Sequence, residues 1–202
     1  MSASSVPAAA RRQFVPPPPP RTPKAAGTRR LLLDLAARLF IERGYSAVSM
    51  NDIAVAAGLT KGAVYGHFRS KGQLLVEVIR WKHAEREQSP EFLAALGDPD
   101  HALDLMYDEA GREIRLLDVD AAAAARHDPD IAAGMEELHR ERHDWIRNAI
   151  VGVADPDVAT WLIFVLSLGI GMREATGAPM PDLERLRTGL RTALNSLGDQ
   201  RD

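Results

Sequence analysis

Apolar residues recur along this chain with the period of a helix, and nowhere with the alternation of a strand. Leu32, Leu35, Ala36, Leu39 and Phe40 fall at i, i+3, i+4, i+7 and i+8, one stripe on a helix that begins at Thr28. Gly44 closes it by taking the left-handed conformation, and Tyr45 turns the chain toward the next element. Ser49-Met50-Asn51-Asp52 opens a second helix, with a hydroxyl cap and an acidic residue three positions on to satisfy the free amides. Its inward stripe is Met50, Ile53, Ala54 and Ala57, and Gly58 stops it. After Leu59, Thr60 caps a third short helix running through Tyr65 to Phe68.

Beyond Leu74, Pro, Gly and Asp divide the chain into helices at about 72–88, 91–96, 99–117, 120–126, 129–153, 156–175 and 182–197. Asp98-Pro99, Asp128-Pro129 and Asp155-Pro156 mark starts, with proline early in the helix where no amide donor is needed. The fold class expected is all-α. The helix from Asp157 carries Trp161, Leu162, Ile163, Phe164, Val165, Leu166, Leu168, Ile170 and Met172, apolar nearly all round, and it needs cover on several sides.

Helix, glycine turn, helix is the bihelical DNA-binding unit. Small Ala54 and Ala57 with the turn at Gly58 let two short helices cross closely, so that the second projects outward. Val64 and Phe68 then face inward. Lys61, Gly62, Tyr65 and His67 are left outside: a cation, a backbone amide and two hydrogen-bonding rings that suit a phosphate-lined groove. Lys71, at the start of the next helix, can meet another phosphate. Nothing acidic or nucleophilic neighbours His67, so it reads as a phosphate donor and not a catalytic base.

Charge supports this placement. The chain of 202 residues carries a net charge of only −3, but residues 1–74 hold eleven Lys and Arg against Asp34, Glu42 and Asp52, a balance of +8, which leaves −11 on the remainder. A basic head can approach phosphate while an acidic body avoids it. Residues 1–27, with Pro16–Pro20 in a row, read as a disordered tail. Its Arg11, Arg12, Arg21 and Lys24 can follow a DNA groove, or the segment is a semi-rigid spacer. Arg11 and Arg12 are followed by prolines and no apolar run, so no secretory leader is expected. No stretch reaches the ~18 consecutive apolar residues of a membrane span. The absence of cysteine excludes disulfides and thiolate chemistry. Cytoplasmic location, without membrane association, is the expectation.

The run Ser49-Met50-Asn51-Asp52-Ile53-Ala54-Val55-Ala56-Ala57-Gly58-Leu59-Thr60-Lys61-Gly62-Ala63-Val64-Tyr65-Gly66-His67-Phe68-Arg69-Ser70-Lys71 closely resembles the tetracycline-repressor (TetR) family of bacterial regulators. The likeness covers roughly residues 28–75. Gly72 departs from it, standing where an acidic residue often follows the lysine. The resemblance implies a DNA-binding domain at 28–74 and a helical ligand-binding and dimerisation domain at 75–202. It implies phosphate contact at Ser49, base-edge contact at Thr60, Lys61 and Gly62, phosphate or thymine-methyl contact at Tyr65, and a backbone clamp from His67 and Lys71. Ser49 and Thr60 also read as caps alone.

It further implies a homodimer through the last two helices, reading a palindromic operator whose half-sites are ~34–36 Å apart. A small molecule in the body would move the helix at 72–88 and release the DNA. Gly169 and Gly171 either permit close approach of the two copies or accommodate bulky neighbours within one. Met106, Tyr107, Arg126, His127, Met135, Leu138, Trp145, Trp161 and Phe164 are the candidate ligand residues, as large or polar-tipped groups on inner helices. His139 and His143 lie one turn apart, but with no third ligand they read as surface, so neither metal nor cofactor is expected. The scattered carboxylates argue against an enzyme. The rival reading is a DNA binder of this kind without an inducer, controlled by a partner or acting architecturally.

Overall fold

The first helix starts earlier than its apolar stripe. In the computed structural model, which describes residues 22–95, 107–149, 155–179 and a few positions between 182 and 192, Thr22 accepts a hydrogen bond from the Ala25 amide and Pro23 occupies the first turn. Cap and proline together start α1 (Pro23–Arg43), so residues 23–27 are helical and do not belong to a tail. The buried seam of α1 is Leu32, Leu33, Ala36, Ala37 and Phe40, while Leu35 and Leu39 lie half-buried at its edge.

Among the described residues every regular element is helical. A 3-10 turn (Tyr45–Ala47) follows α1, then α2 (Met50–Ala56), α3 (Lys61–His67), α4 (Lys71–Glu87), α5 (Pro90–Ala95), α6 (Glu109–Ala125), α7 (Pro129–Ala149) and α8 (Pro156–Thr176). Gly44 has a positive φ of 79° but an extended ψ of 146°, so it reverses the chain without continuing the helical sense. Most of the final predicted helix, 182–197, lies outside the described residues, as do residues 1–21 and Met106.

The separate helices expected at 99–117 and 120–126 are not found as such. From Asp108, whose carboxylate accepts the Gly111 amide at 2.6 Å, α6 runs unbroken to Ala125. Asp118 and Asp120 resemble punctuation, but neither caps anything. Asp120 accepts the backbone N–H of Tyr45 at 2.7 Å, 75 residues away, and tertiary partners of this kind override local propensity.

The chain divides into two compact units: residues up to Val78 with Asp120–Arg140, and Ile79–Val119 with the residues from Glu141 on. The first has Leu32, Phe40, Ile53, Val64, Phe68, Leu74, Leu75 and Ile131 at its core. Gly72 is where the corner between α6 and α7 comes against α4. A Cβ at position 72 would stand 2.7 Å from Asp128 Oδ2 and 2.9 Å from Ile131 Cγ1, so the missing side chain is space already occupied.

The second unit buries Ile79, Ile114, Leu117, Ile146 and Thr160. Ion pairs tie its helices together: Arg80 with Glu141, Lys82 with Glu113, Arg86 with Asp108, Arg142 with Glu87, and Arg115 with Glu174. The two glycines of α8 differ. A Cβ at Gly171 would lie 2.9 Å from Arg115 Cβ and 3.0 Å from its carbonyl, so this glycine serves the approach of α8 to α6 within one chain. Gly169 has nothing within 4 Å.

Replacing Gly72 with Ala separates packing from propensity. In an open helix the change stabilises by about 0.5–1 kcal/mol. Here the contact with Asp128 and Ile131 should reverse the sign and cost ~1–3 kcal/mol, read as a lower urea midpoint.

Candidate nucleic-acid interface

Two caps and one glycine turn shape the outward helix. Ser49 accepts the Asp52 amide through Oγ at 3.2 Å, while Asp52 Oδ2 accepts both the Ser49 amide at 2.8 Å and its hydroxyl at 2.6 Å. This reciprocal box starts α2 and holds the Asp52 carboxyl below its usual range, chiefly through the Ser49 hydroxyl. Gly58, at φ 64°, ends α2 in the left-handed region, and the Leu59 amide reaches back to the Ala54 carbonyl at 2.9 Å. Thr60 Oγ1 then accepts the Ala63 amide at 3.2 Å and starts α3.

α3 is fixed from below. Val64 and Phe68, four residues apart, are fully buried, and the Arg29 guanidinium lies 5.1 Å from the Phe68 ring centroid. Arg29 is itself held by Glu77 at 2.7 Å. The opposite side of α3 presents Lys61, Gly62 and Tyr65, all exposed, with the Lys61 ammonium 5.8 Å from the Tyr65 ring. His67 is half-buried beside Phe68. Thr60, Lys61, Gly62 and Tyr65 thus come together on one short helix and its cap. The Ser49 hydroxyl and amide are both committed to Asp52, and the Thr60 hydroxyl proton donates to nothing within the described residues.

Lys71 is placed otherwise. Its ammonium donates to the carbonyls of Tyr45 at 2.9 Å and Val48 at 2.8 Å and sits 4.0 Å from the Tyr45 ring. Burial lowers its pKa, against the pull of Asp128 and Asp120. The same enclosure pushes the Tyr45 hydroxyl up to about 12, by burial first and then by Asp128 and Asp130. Ser70 donates to Asp130 at 3.0 Å. Lys71 therefore grips the turn between α1 and α2. The acidic groups that complete this support, Asp120, Asp128 and Asp130, carry no mark in the sequence beyond a helix-starting Asp-Pro.

The described candidate ligand residues fall in both units. Arg126 and His127 are exposed, and Met135 and Leu138 are buried, all in the first unit. Tyr107, Trp145 and Phe164 are half-buried in the second unit, and Trp161 there is 61% exposed. His139 is exposed, and His143 lies 3.8 Å from Asp144 and 3.9 Å from Asp157. The described residues contain no group of three metal-ligating side chains.

With this geometry in place, the family of bacterial regulatory proteins described as tetR matches residues 32–78, from within α1 to within α4. Over these residues the chain resembles the tetR family. Among its relatives, the HTH-type transcriptional regulator AcrR of Shigella flexneri is 42% identical over 80 residues, 38% of this chain and 36% of AcrR. The chain therefore matches only about a third of the AcrR length. The HTH-type transcriptional regulator CymR of Pseudomonas putida is 26% identical over 177 residues, 81% of this chain and 87% of CymR. A likeness of fold extends equally far. A solved Rhodococcus sp. RHA1 structure matches with a TM-score of 0.68 over 83% of this chain and 95% of its own, at 21% identity.

Lys71→Met keeps the apolar stem and removes the donor. It should destabilise the chain by about 1–2 kcal/mol in chemical denaturation, because the Tyr45 and Val48 carbonyls lose their partner. Wild-type stability would show that the grip is not needed.

Proposed function

We propose that this chain is a dimeric transcriptional repressor that reads a palindromic operator with α3 and is released from it by a small-molecule effector. The observation that carries the DNA part is the outward face of α3, with Lys61, Gly62 and Tyr65 exposed on a base of buried Val64 and Phe68. Thr60 contributes its free hydroxyl proton, and His67 and the remaining ammonium hydrogen of Lys71 meet the phosphate backbone at either side. Ser49 contacts phosphate only by exchanging its bond to Asp52. The effector part is supported by the likeness of residues 32–78 to a family in which ligand-responsive control is typical. The reading assigns no catalytic step, and it places the protein in the bacterial cytoplasm on nucleoid DNA.

Dimerisation is supported by α8. Val158, Trp161, Val165, Leu168 and Met172 are its exposed large apolar residues, spaced by three and four in the manner of a helix–helix seam. By length and composition alone α8 is also long and apolar enough to cross a membrane. Its other side is unsuited to lipid, with Thr160 buried, Gly171 against Arg115 and Glu174 paired to Arg115. A one-sided stripe of this kind fits a second copy of the same helix.

An operator selected from random DNA with purified protein tests the reading. Tyr65→Ala should weaken binding to it by ~1–3 kcal/mol while leaving the dimer intact, and wild-type affinity would refute the assigned face. Trp161→Glu combined with Leu168→Glu should convert the dimer to monomer in sedimentation analysis and abolish stable operator binding. A dimer persisting at micromolar concentration would remove α8 from the interface.

A further inference from the structure

Successive residues of an α-helix point about 100° apart, so one buried residue fixes the direction of all the others. In α3 that residue is Val64. Counted round from Val64, Tyr65 and Lys61 stand on one flank of the helix, and Ala63 and His67 on the other. Gly66 stands about 200° away, on the side farthest from the core, and Gly62 lies one turn from it. Lys61, Gly62, Ala63, Tyr65 and Gly66 are all exposed, and His67 is half-buried. The outermost line of α3 therefore carries no side chain.

Glycine at position 66 weakens the helix. Alanine is the more stable residue inside a helix, and a helix of seven residues has little stability of its own to lose. The other glycines of the first unit show what normally justifies the residue. Gly44 and Gly58 have a positive φ, and at Gly72 a Cβ would meet Asp128 at 2.7 Å. Neither reason applies to Gly66, which is helical, is not among the glycines of positive φ, and leaves nothing within 4 Å of a built Cβ. Gly27 and Gly169 are equally open, but each lies in a helix of 21 residues, which tolerates one weak position. The described residues around α3 do not require glycine at 66, so the reason lies in what comes against this helix from outside.

We infer that Gly66 is a specificity-determining residue, whose bare backbone lets α3 seat against the floor of the DNA major groove, deeper than any side chain at this position would allow. This rests on the DNA-reading proposal above and names the residue that sets the depth of the fit. Lys61 and Tyr65 extend from the flank of α3, so deep seating carries their polar ends down to base edges. A side chain at 66 would hold them back toward the phosphates. Loose association with phosphate alone does not need this depth, since it carries no sequence information. The residue at 66 therefore acts on discrimination between sequences.

The test compares the full chain with its Gly66→Ala and Gly66→Leu variants, by urea denaturation and by titration with the selected operator and with a scrambled duplex of equal length at the same salt. Alanine and leucine both favour a helix over glycine, so both variants should show a higher urea midpoint than the wild type. Operator affinity should nevertheless fall, about tenfold for alanine and about a hundredfold for leucine, as for groups forced into a filled contact. Affinity for the scrambled duplex should stay within about twofold, with an unchanged salt slope, because no phosphate contact is lost. Operator affinity that holds or rises in Gly66→Ala overturns the inference, as does an equal loss on both duplexes or a fall in the urea midpoint. If the wild type enriches no operator from random DNA, the DNA-reading proposal fails and takes this inference with it. If it does, and both variants bind that operator as tightly as the wild type, only the role of Gly66 fails.

Discussion

A seven-residue helix cannot hold its shape in water, since isolated helices shorter than ~12–15 residues are marginal even with the best sequences. The face of α3 proposed to meet DNA therefore depends on how its neighbours hold it. Val64 and Phe68 anchor it by full burial, Thr60 closes its first turn, and Gly58 sets the angle at which it leaves α2. The support extends outward in steps. Arg29 lies over Phe68 and is gripped by Glu77, and Lys71 grips the turn that sets α1 against α2. The proposed groove-reading surface of three or four side chains thus draws its rigidity from contacts scattered over about a hundred residues of chain.

The parts of this arrangement that are local in sequence were legible there. A cap, a capping box, a glycine stop and two inward residues four apart are physical signals confined to a few positions, and Ser49, Gly58, Thr60, Val64 and Phe68 carry them. Where the decisive partner is distant, the local signal misleads. Asp118 and Asp120 resemble helix breaks but ride within α6, and Asp120 bonds to Tyr45. Gly72 resembles a weak helix start and is instead the room that Asp128 and Ile131 require. Prolines before residue 22 conceal the cap from which α1 begins. Candidate ligand residues chosen by type were divided between two units, since a methionine or an aromatic ring carries no record of which element it packs against.

The second unit is organised by polarity where a smaller protein would rely on hydrocarbon alone. Buried ion pairs are weak sources of net stability, because desolvation offsets most of the attraction, but a broken one is costly. Arg115 and Arg142, largely buried, each hold an acid on another helix, so that misregistered packing of these helices strands a charge.

The first unit is assembled from two stretches of chain, and this bears on its use as a module. A fragment cut after Val78 would keep the groove-reading helix and lose Asp120, Asp128, Asp130 and Ile131. The Tyr45 amide and the Ser70 hydroxyl would be left without their acceptors, and Gly72 would become a bare gap on the surface of α4. Transplanting the proposed DNA-reading unit onto another regulator is therefore a graft of two segments, and the corner between α6 and α7 has to travel with the helices it supports.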